Sequence, residues 1–242
     1  MIDSIYRIVQ EMLNKNGYGI LSPARFMLFA EAVQLEVLGN YIDEWRNARQ
    51  KSATYSTDEK LRELEAIIEH FSEPATLTRN IGGSVQKYHA LPSDYMMWGN
   101  AWVNGVLINK IEAKLKVHVS KDYFVTPSES EPICYVEGNK LYVLPETFGV
   151  IRDGNTDVAI DEVELMYYRY PKKPKWTYVT VSGKSIFNPS DPSLQDFELP
   201  YSAYNRLVVG ILGKAGMHVR DADVVQYAAS EENKDYQKDN QR

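Results

Sequence analysis

The spacing of apolar residues changes twice along this chain, and this change constrains its fold more than any other feature of the sequence. In residues 1–74, apolar residues recur every three or four positions, which is the spacing of amphipathic helices. In residues 75–199, several segments alternate apolar and polar residues, as strands with one buried face do. Helical spacing returns from residue 200. The sequence therefore predicts an α+β protein, with a helical bundle of residues 1–74 and 200–242 and a central antiparallel β-rich module of residues 75–199 that carries hairpin arms.

Three helices are predicted in the N-terminal part. The second begins at Ser22 and Pro23, because a serine oxygen can accept hydrogen bonds from the first amides and the first turn does not use the N–H that proline lacks. The third begins at Ser56, where Glu59 three residues later completes a capping box. Pro74 is predicted to end the helical part. The second helix carries an apolar stripe of Phe26, Phe29, Val33, Val37, Tyr41 and Trp45.

Several strands are predicted in the β-rich module. Residues 111–119 alternate apolar and polar side chains, which favours a half-buried strand. Residues 133–143 predict a strand, a reversal near Gly138 and a second strand. Residues 163–170 and 178–181 predict two further strands.

The run LPSDYMMWGNAWVNGVLINKIE, residues 91–112, contains two tryptophans and an Asn-Gly pair with almost no charge. Both central residues of a two-residue hairpin turn need positive φ, which Asn104 and Gly105 tolerate. A proline near the start of the run disfavours a helix. We therefore predict an extended arm of residues 95–103 that turns back through Asn104 and Gly105.

The C-terminal part predicts two helices. The first follows Pro200 and has Gly216 as its C-cap. The second spans residues 221–229. Beyond Ser230 the sequence has almost no apolar residues, so we expect it to be ordered by a partner rather than alone.

The charge and the reactive residues disfavour several classes of function. The net charge is −6, whereas a simple nucleic-acid binder has a basic face. The one cysteine, Cys134, lies in an apolar segment without a neighbouring base, where a buried inert thiol is expected. The basic residues of 172–176 are interpreted as a solvated loop. We predict no catalytic, cofactor or metal site, and a protein that is not an enzyme. The histidines are dispersed along the sequence, at His70, His89, His118 and His218.

The sequence also carries no signal-peptide pattern and no apolar run of bilayer-crossing length. We therefore expect assembly in a reducing cytoplasm and no membrane partner.

Four segments taken in order resemble a known family. Residues 91–95 (LPSDY) lead into a hairpin, and residues 132–145 (PICYVEGNKLYVLP) follow. Residues 163–171 (VELMYYRYP) and 197–200 (FELP) precede the C-terminal helices. This order resembles the tail-adaptor, or head-to-tail connector, proteins of short-tailed and crAss-like bacteriophages. The likeness extends over roughly residues 85–229 and is a pattern of turns and strands rather than a catalytic signature.

The resemblance implies a structural virion protein, assembled in the host cytoplasm, that forms a homo-oligomeric ring, typically twelvefold. Its implied partners are its own copies, the portal protein above it, a downstream tail or nozzle protein, and genome DNA that passes through its channel without specific binding. The net acidic charge agrees with a channel wall that repels phosphates. No cofactor is implied.

A cyclic ring needs a head-to-tail interface, in which one patch of each copy meets a different patch of the next. The hairpin arm or the loop of residues 127–132 is expected to supply one patch and the long second helix the other. The predicted inter-subunit contacts are Trp98, Trp102, Asn104 and Gly105 in the hairpin and Tyr41 and Trp45 on the helix. The predicted portal-docking residues are Val224, Tyr227 and Tyr236.

A carbohydrate-binding or host-binding β-module is the alternative from another class. Tyrosine and tryptophan are plentiful, with 17 and 4 residues, and sugar faces stack on aromatic rings. That function would require the aromatic residues to be exposed on one face, whereas most of them fall at apolar-periodic positions. A cellular scaffold protein or an enzyme of unknown class stays open as well.

Overall fold

The computed structural model describes residues 1–15, 21–50, 55–80, 87–119, 127–128, 130–145, 150–153, 156–159 and 162–219. The chain divides into two compact units. A helical unit contains Met1–His70 together with the chain from Pro171 onward, and a sheet unit contains Phe71–Tyr170. The predicted α+β class is confirmed. In sequence order, the chain has a helical N-terminal region, a large mixed sheet and a C-terminal helix.

The helices are α1 (Ile2–Lys15), α2 (Pro23–Gln50), α3 (Tyr55–Glu69), α4 (Lys116–Val119) and α5 (Tyr204–Val219). The strands are β1 (Ser72–Asn80), β2 (Tyr88–Ala90), β3 (Tyr95–Val103), β4 (Val106–Leu107), β5 (Asn109–Lys110), β6 (Ile133–Glu137), β7 (Lys140–Leu144), β8 (Val150–Asp153), β9 (Thr156–Ala159), β10 (Glu162–Arg169), β11 (Tyr178–Val181) and β12 (Lys184–Phe187).

The starts of α1 and α2 are held by oxygen acceptors. Ser22 Oγ accepts a hydrogen bond from the Arg25 N–H at 3.4 Å, which confirms the predicted cap of α2. The Asp196 carboxylate accepts one from the Ile2 N–H at 2.8 Å, and an anion is favourable at this positive end of α1. Residues distant in sequence are thereby tied to the start of α1.

Helices α2 and α5 approach each other closely at Gly210. A Cβ atom on this residue would lie 2.7 Å from Val33 Cγ1, so glycine is required for the observed contact. The predicted C-cap at Gly216 is wrong, because α5 continues through this buried residue to Val219. The buried apolar side chains of the unit include Ile5, Val9, Phe26, Val33, Leu64, Ile68, Leu207 and Ile211.

Residues 171–199 belong to the helical unit, whereas their strand spacing predicted a place in the β-rich module. Trp176 is 2% exposed, and its indole N–H donates to Asp3 Oδ1 of α1 at 3.1 Å. The Gln34 amide of α2 donates to the Lys172 carbonyl oxygen at 2.9 Å. The segment therefore packs on the helices, and its spacing could not reveal this because alternation predicts a strand without predicting its neighbour.

The sheet unit contains an eight-stranded sheet in the order β4-β3-β10-β1-β2-β7-β6-β5. Every pairing in it is antiparallel except β5 with β6, which is parallel, so the predicted antiparallel module is a mixed sheet. The predicted β6–β7 reversal is confirmed, with Gly138 at φ 62°. The core cluster of this sheet consists of Leu77, Leu91, Ala101, Val103, Ile108, Cys134, Leu141, Val143, Val163, Leu165 and Tyr167.

Pro74 does not end the helical part as predicted, because it lies inside β1, opposite Met166 of β10. Strand β2 pairs with β1 only at Arg79 and Asn80. Within the described residues, Pro74 therefore has a paired strand on one side alone, which is where a strand tolerates proline.

The predicted strand of residues 111–119 is also wrong. A short 3₁₀ turn, Ala113–Leu115, leads there into α4. The chain pairs with β6 at Asn109 and Lys110, and one more backbone hydrogen bond follows, from the Ile111 N–H. It then leaves the edge, and an alternating segment without a partner strand gains none of the pairing that would stabilise it.

Candidate interaction surfaces

The hairpin predicted at Asn104 and Gly105 is confirmed. These residues have φ of 51° and 76°, both positive as a two-residue turn requires, and both are exposed. Strand β3, however, pairs with β10 along most of its length, and Ala101 and Val103 are 0% and 3% exposed. The hairpin is consequently part of the sheet rather than a free arm, and its turn is what it offers to solvent.

The two hairpin tryptophans are half-buried. Trp98 packs against the core cluster of the sheet, and the Lys110 ammonium lies 5.1 Å from the centre of its ring. Trp102 lies between the buried residues Ala101 and Val103, opposite Glu164. Trp98 thus contributes to cohesion of the sheet. Trp102 lies on the face of β3 opposite to Ala101 and Val103, where its paired neighbours Glu164 and Leu107 are exposed.

The two predicted contacts on α2 differ in burial. Tyr41 is 6% exposed, and the Arg206 guanidinium lies 5.0 Å from the centre of its ring. Burial raises the pKa of the Tyr41 phenol. Trp45 is half-buried and donates from Nε1 to Glu65 Oε1 at 3.5 Å, which links α2 to α3. Tyr41 therefore lies in the core of the helical unit, and Trp45 keeps a part of its ring in solvent.

The predicted portal-docking residues Val224, Tyr227 and Tyr236 lie outside the described residues, as does the predicted helix of residues 221–229. Most of the loop of residues 127–132 is described, and Pro132 accepts a hydrogen bond from the Asn109 N–H.

A second hairpin, formed by β11 and β12, is the most exposed strand pair among those whose burial the structure describes. Its turn, Ser182-Gly183, has φ of 50° and 78°. All four residues of β11 are exposed. A two-stranded ribbon alone is marginally stable, and this one is anchored by Trp176, whose ring stacks on Tyr178 and Phe187 at 5.6 and 5.9 Å.

One face of this ribbon is apolar and directed away from its anchor. Directly paired residues of antiparallel strands share a face, and the register pairs Val179 with Ile186 and Val181 with Lys184. The apolar members of this set are 47%, 50% and 51% exposed, whereas Tyr178 and Phe187 on the other face contact the anchor. We call Val179, Val181, Ile186 and Lys184 the ribbon face.

A second exposed apolar surface runs along α2. Ala24, Leu28, Ala32 and Leu35 follow one another at helical spacings of four, four and three, so they share one side of the helix. All four are exposed, Leu28 at 65% and Leu35 at 40%. We call these residues the α2 stripe. Because the opposite side of α2 is the buried one, this helix is apolar on two sides, which is typical of helices that are covered on both.

Carboxylates flank the α2 stripe. Glu31 lies on one side and Glu36 on the other, at 32% and 50% exposure. Within the helical unit, Glu31 pairs with Lys173 at 2.8 Å and Glu36 with Lys214 at 2.8 Å. Exposed pairs of this kind contribute little to stability, so these carboxylates can exchange partners at small cost.

The residues that sequence singled out for chemistry are mostly structural. Burial raises the pKa of the Cys134 thiol to about 12, which leaves it protonated at neutral pH. His89 is 5% exposed. Among the residues that the structure describes, no group of three or more His, Cys, Asp or Glu side chains is placed to hold a metal ion. The described helices likewise include none with the length and apolarity needed to cross a membrane.

The strongly exposed aromatic residues of the described chain lie on three separate segments. Tyr170 follows β10, Tyr178 begins β11, and Tyr201 precedes α5, at 50%, 41% and 77% exposure. A sugar-binding platform would instead need rings side by side on one face. The basic residues of 172–176 surround Trp176, whose ring is buried and cannot stack on a base.

The sequence analysis did not single out the ribbon face, and the two α2 residues that it named are buried (Tyr41) and half-buried (Trp45). A signal for the ribbon face was present in Ser182-Gly183 with apolar residues on both sides, a weaker relative of the Asn-Gly turn. A signal for the α2 stripe was the run of small and aliphatic residues at positions 24, 28, 32 and 35.

The sequence was compared with known protein families and with curated proteins. No protein-family model matches the chain, and no curated protein matches it significantly.

Proposed function

We propose that this chain is a structural virion protein whose copies form a ring that joins the portal of a bacteriophage capsid to its tail. The proposal combines the order of segments that resembles tail adaptors with one structural observation. The helical unit carries two unlike exposed apolar surfaces, the ribbon face and the α2 stripe.

Two unlike surfaces support a ring because head-to-tail association uses a different patch on each side of every copy. A two-fold dimer would need one self-complementary patch instead. Covering a half-exposed valine or isoleucine contributes on the order of 1 kcal/mol, so each surface supplies a modest gain. In a closed ring every copy uses both surfaces, and the gains are repeated around the circle.

The acidic composition supports passage of DNA through such a ring. A net charge of −6 per copy gives a wall that repels phosphates, and weak contact with DNA lets it move. The twelvefold count, the portal above and the tail or nozzle protein below come from the resemblance. Val224, Tyr227 and Tyr236 remain the proposed portal-docking residues.

Native mass spectrometry of the purified chain, alone and after mixing with portal particles of the same virus, tests this function. We expect a single closed oligomer of defined stoichiometry, twelve copies, in at least one of the two samples. A chain that stays monomeric in both would overturn the proposal. A second measurement uses a variant that ends before Ser230, and we expect this variant to lose affinity for the portal.

The carbohydrate-binding alternative is tested by titrating tryptophan fluorescence with sugars or by a glycan array. Since the strongly exposed aromatic residues lie on separate segments, we expect no saturable signal. A saturable, sugar-specific change would favour the alternative over the ring.

A further inference from the structure

We propose that the ribbon face of one copy packs across the α2 stripe of the next copy, with Lys184 beside the carboxylates that flank the stripe. This inference rests on the proposed ring and names the contact that closes it. Its occupant is a second copy of this chain.

The first support is that both surfaces are apolar and exposed on the same unit. The ribbon face and the α2 stripe each keep side chains at 40–65% exposure, so neither covers the other within one copy. A contact between copies removes both from water at once. It also explains why α2 is apolar on two sides, since one side faces its own unit and the other faces the neighbour.

The second support is shape. Ala24 and Ala32 alternate with Leu28 and Leu35, which leaves shallow spaces between the leucines. At Gly39, which follows the stripe on the same side, an added Cβ would meet nothing within 4 Å. The β-branched residues of the ribbon face can enter these spaces.

The dimensions of the two surfaces also agree. Leu28 and Leu35 are separated by about 10 Å along the helix at 1.5 Å per residue. Val179 and Val181 are separated by about 7 Å along the strand, and Ile186 lies about 5 Å across the ribbon. The ribbon face is therefore similar in length to the stretch of the stripe between the two leucines.

The third support is charge. Lys184 is the charged member of the ribbon face, and it is exposed. The flanks of the stripe carry Glu31 and Glu36 in its middle, with Arg25 at its N-terminal end and Asp43 beyond its C-terminal end. A cation on one surface and carboxylates around the other favour this pairing over ribbon against ribbon, in which two Lys184 ammonium groups would meet.

A disulfide test between copies addresses this contact directly. One preparation carries Ile186→Cys and another Ala32→Cys, both at exposed positions, and the two are mixed under ring-forming conditions, with and without portal. A disulfide forms where two Cα atoms lie within about 7 Å, so the mixture should give a covalent dimer of one variant with the other. The native Cys134 is buried and does not compete.

The matched control replaces Ala32→Cys with Leu115→Cys, a residue 41% exposed in the sheet unit and outside the hairpin of β3 and β4. We expect the Ile186–Ala32 pair to give about tenfold more mixed disulfide than the control pair, the ratio that 1.4 kcal/mol of preferential contact produces. If rings form without this excess, the proposed contact is wrong, whereas the proposed ring still stands. An absence of rings in every sample would overturn the proposed function, and this contact with it.

A charge substitution gives an independent readout. Ile186→Asp should weaken ring formation about tenfold or more, because the carboxylate would be buried beside Glu31 and Glu36. Leu115→Asp, at a position 41% exposed in the sheet unit, should change it less than twofold. Equal effects of the two substitutions would contradict the proposal. The unfolding midpoint of each variant is measured alongside, and unchanged midpoints assign the loss to association.

Discussion

Two of the tight hairpins of this protein, β3–β4 and β11–β12, share a turn geometry and differ in almost everything else. Asn104-Gly105 and Ser182-Gly183 reverse the chain with nearly the same positive φ values, 51° and 76° against 50° and 78°. The first hairpin lies in an eight-stranded sheet beside β10, while β11 pairs only with β12 in the described chain. The same turn geometry thus belongs to a half-buried strand pair of a large sheet in one place and to an exposed ribbon in the other.

The difference teaches that a hairpin's exposed residues depend on its neighbours rather than on its composition. The first hairpin holds the tryptophans, which suggested an adhesive arm, yet Trp98 packs on the core cluster of its sheet. The second hairpin looks ordinary in sequence, yet Val179, Val181 and Ile186 are about half exposed. Four measurements can break or sharpen this contrast.

The largest expected effect comes from a charge placed in each hairpin. Ala101→Asp would bury an unpaired carboxylate at a position 0% exposed, so we expect it to lower the free energy of unfolding by about 4 kcal/mol or more. Val181→Asp, at 51% exposure, should change it by less than about 0.5 kcal/mol. Urea denaturation followed by circular dichroism measures both. Similar losses in the two variants would mean that the ribbon is covered in the free chain.

A smaller effect is expected from one added methyl group in β3. A Cβ on Gly99 would lie 2.5 Å from the backbone oxygen of Met166, which cannot move without disturbing β10. We expect Gly99→Ala to cost about 3 kcal/mol, the upper part of the range for overpacking.

Gly39→Ala is the matched control for this change. An added Cβ there meets nothing within 4 Å, and alanine is the better helix former. The free energy of unfolding of this variant should therefore rise by about 0.5–1 kcal/mol. Thermal and urea unfolding report both. A neutral Gly99→Ala would show that β3 and β10 can separate and that the first hairpin is a looser arm than its pairing indicates.

The third measurement uses Cys134, which shares the core cluster with Ala101 and Val103. Burial raises its pKa from 9.0 to about 12 in the folded protein. Between these values the folded state keeps the thiol proton that the unfolded state releases, so the free energy of unfolding falls as pH rises. This one group should lower the free energy of unfolding by about 2 kcal/mol between pH 9 and 11, at up to about 1.4 kcal/mol per pH unit.

Cys134→Ala isolates this contribution, because other groups with raised pKa values, such as Tyr167, titrate in both proteins. Urea denaturation at pH 8, 9.5 and 11 should give a shallower decline in the variant. Parallel declines in the two proteins would mean that the thiol titrates normally and that the core beside the first hairpin admits water.

The smallest effect concerns the turns themselves. Gly105 and Gly183 have φ of 76° and 78° with open space around them, so alanine at either position should cost about 1 kcal/mol of backbone strain. For Gly105→Ala the loss should appear in global unfolding. For Gly183→Ala it should appear in faster hydrogen exchange of ribbon amides, because that hairpin can open locally. Exchange that changes throughout the protein in Gly183→Ala would argue that the ribbon is integrated with the helices.

Much of the fold could be predicted because its signals are local. The Ser22 cap, the Asn104-Gly105 turn and the β6–β7 reversal each depend on a few adjacent residues whose backbone preferences are strong. Prediction failed where a neighbouring strand, rather than the local sequence, decided the conformation. Residues 111–119 have strand spacing, but the chain pairs with β6 at Asn109 and Lys110 and leaves the sheet edge after Ile111. Pro74 is accepted within β1 because one side of that strand is unpaired there.

The candidate surfaces show the same limit. Tyr41 and Leu28 are both apolar residues of α2, and nothing in the spacing tells which side of a helix with two apolar sides faces its own core. The structure assigns Tyr41 to the interior and Leu28 to solvent, at 6% and 65% exposure. Aromatic content likewise predicted exposure poorly, because large rings are the side chains that a core buries first.

By itself, then, the sequence determined the class of this protein, the turns at Asn104-Gly105 and Gly138 and the Ser22 cap of α2, since these follow from short-range preferences of φ, spacing and capping. The tertiary structure alone decided which apolar residues stay in contact with water. That outcome depends on which strand or helix lies beside each segment, and such neighbours come from parts of the chain as distant as Asp196 is from Ile2.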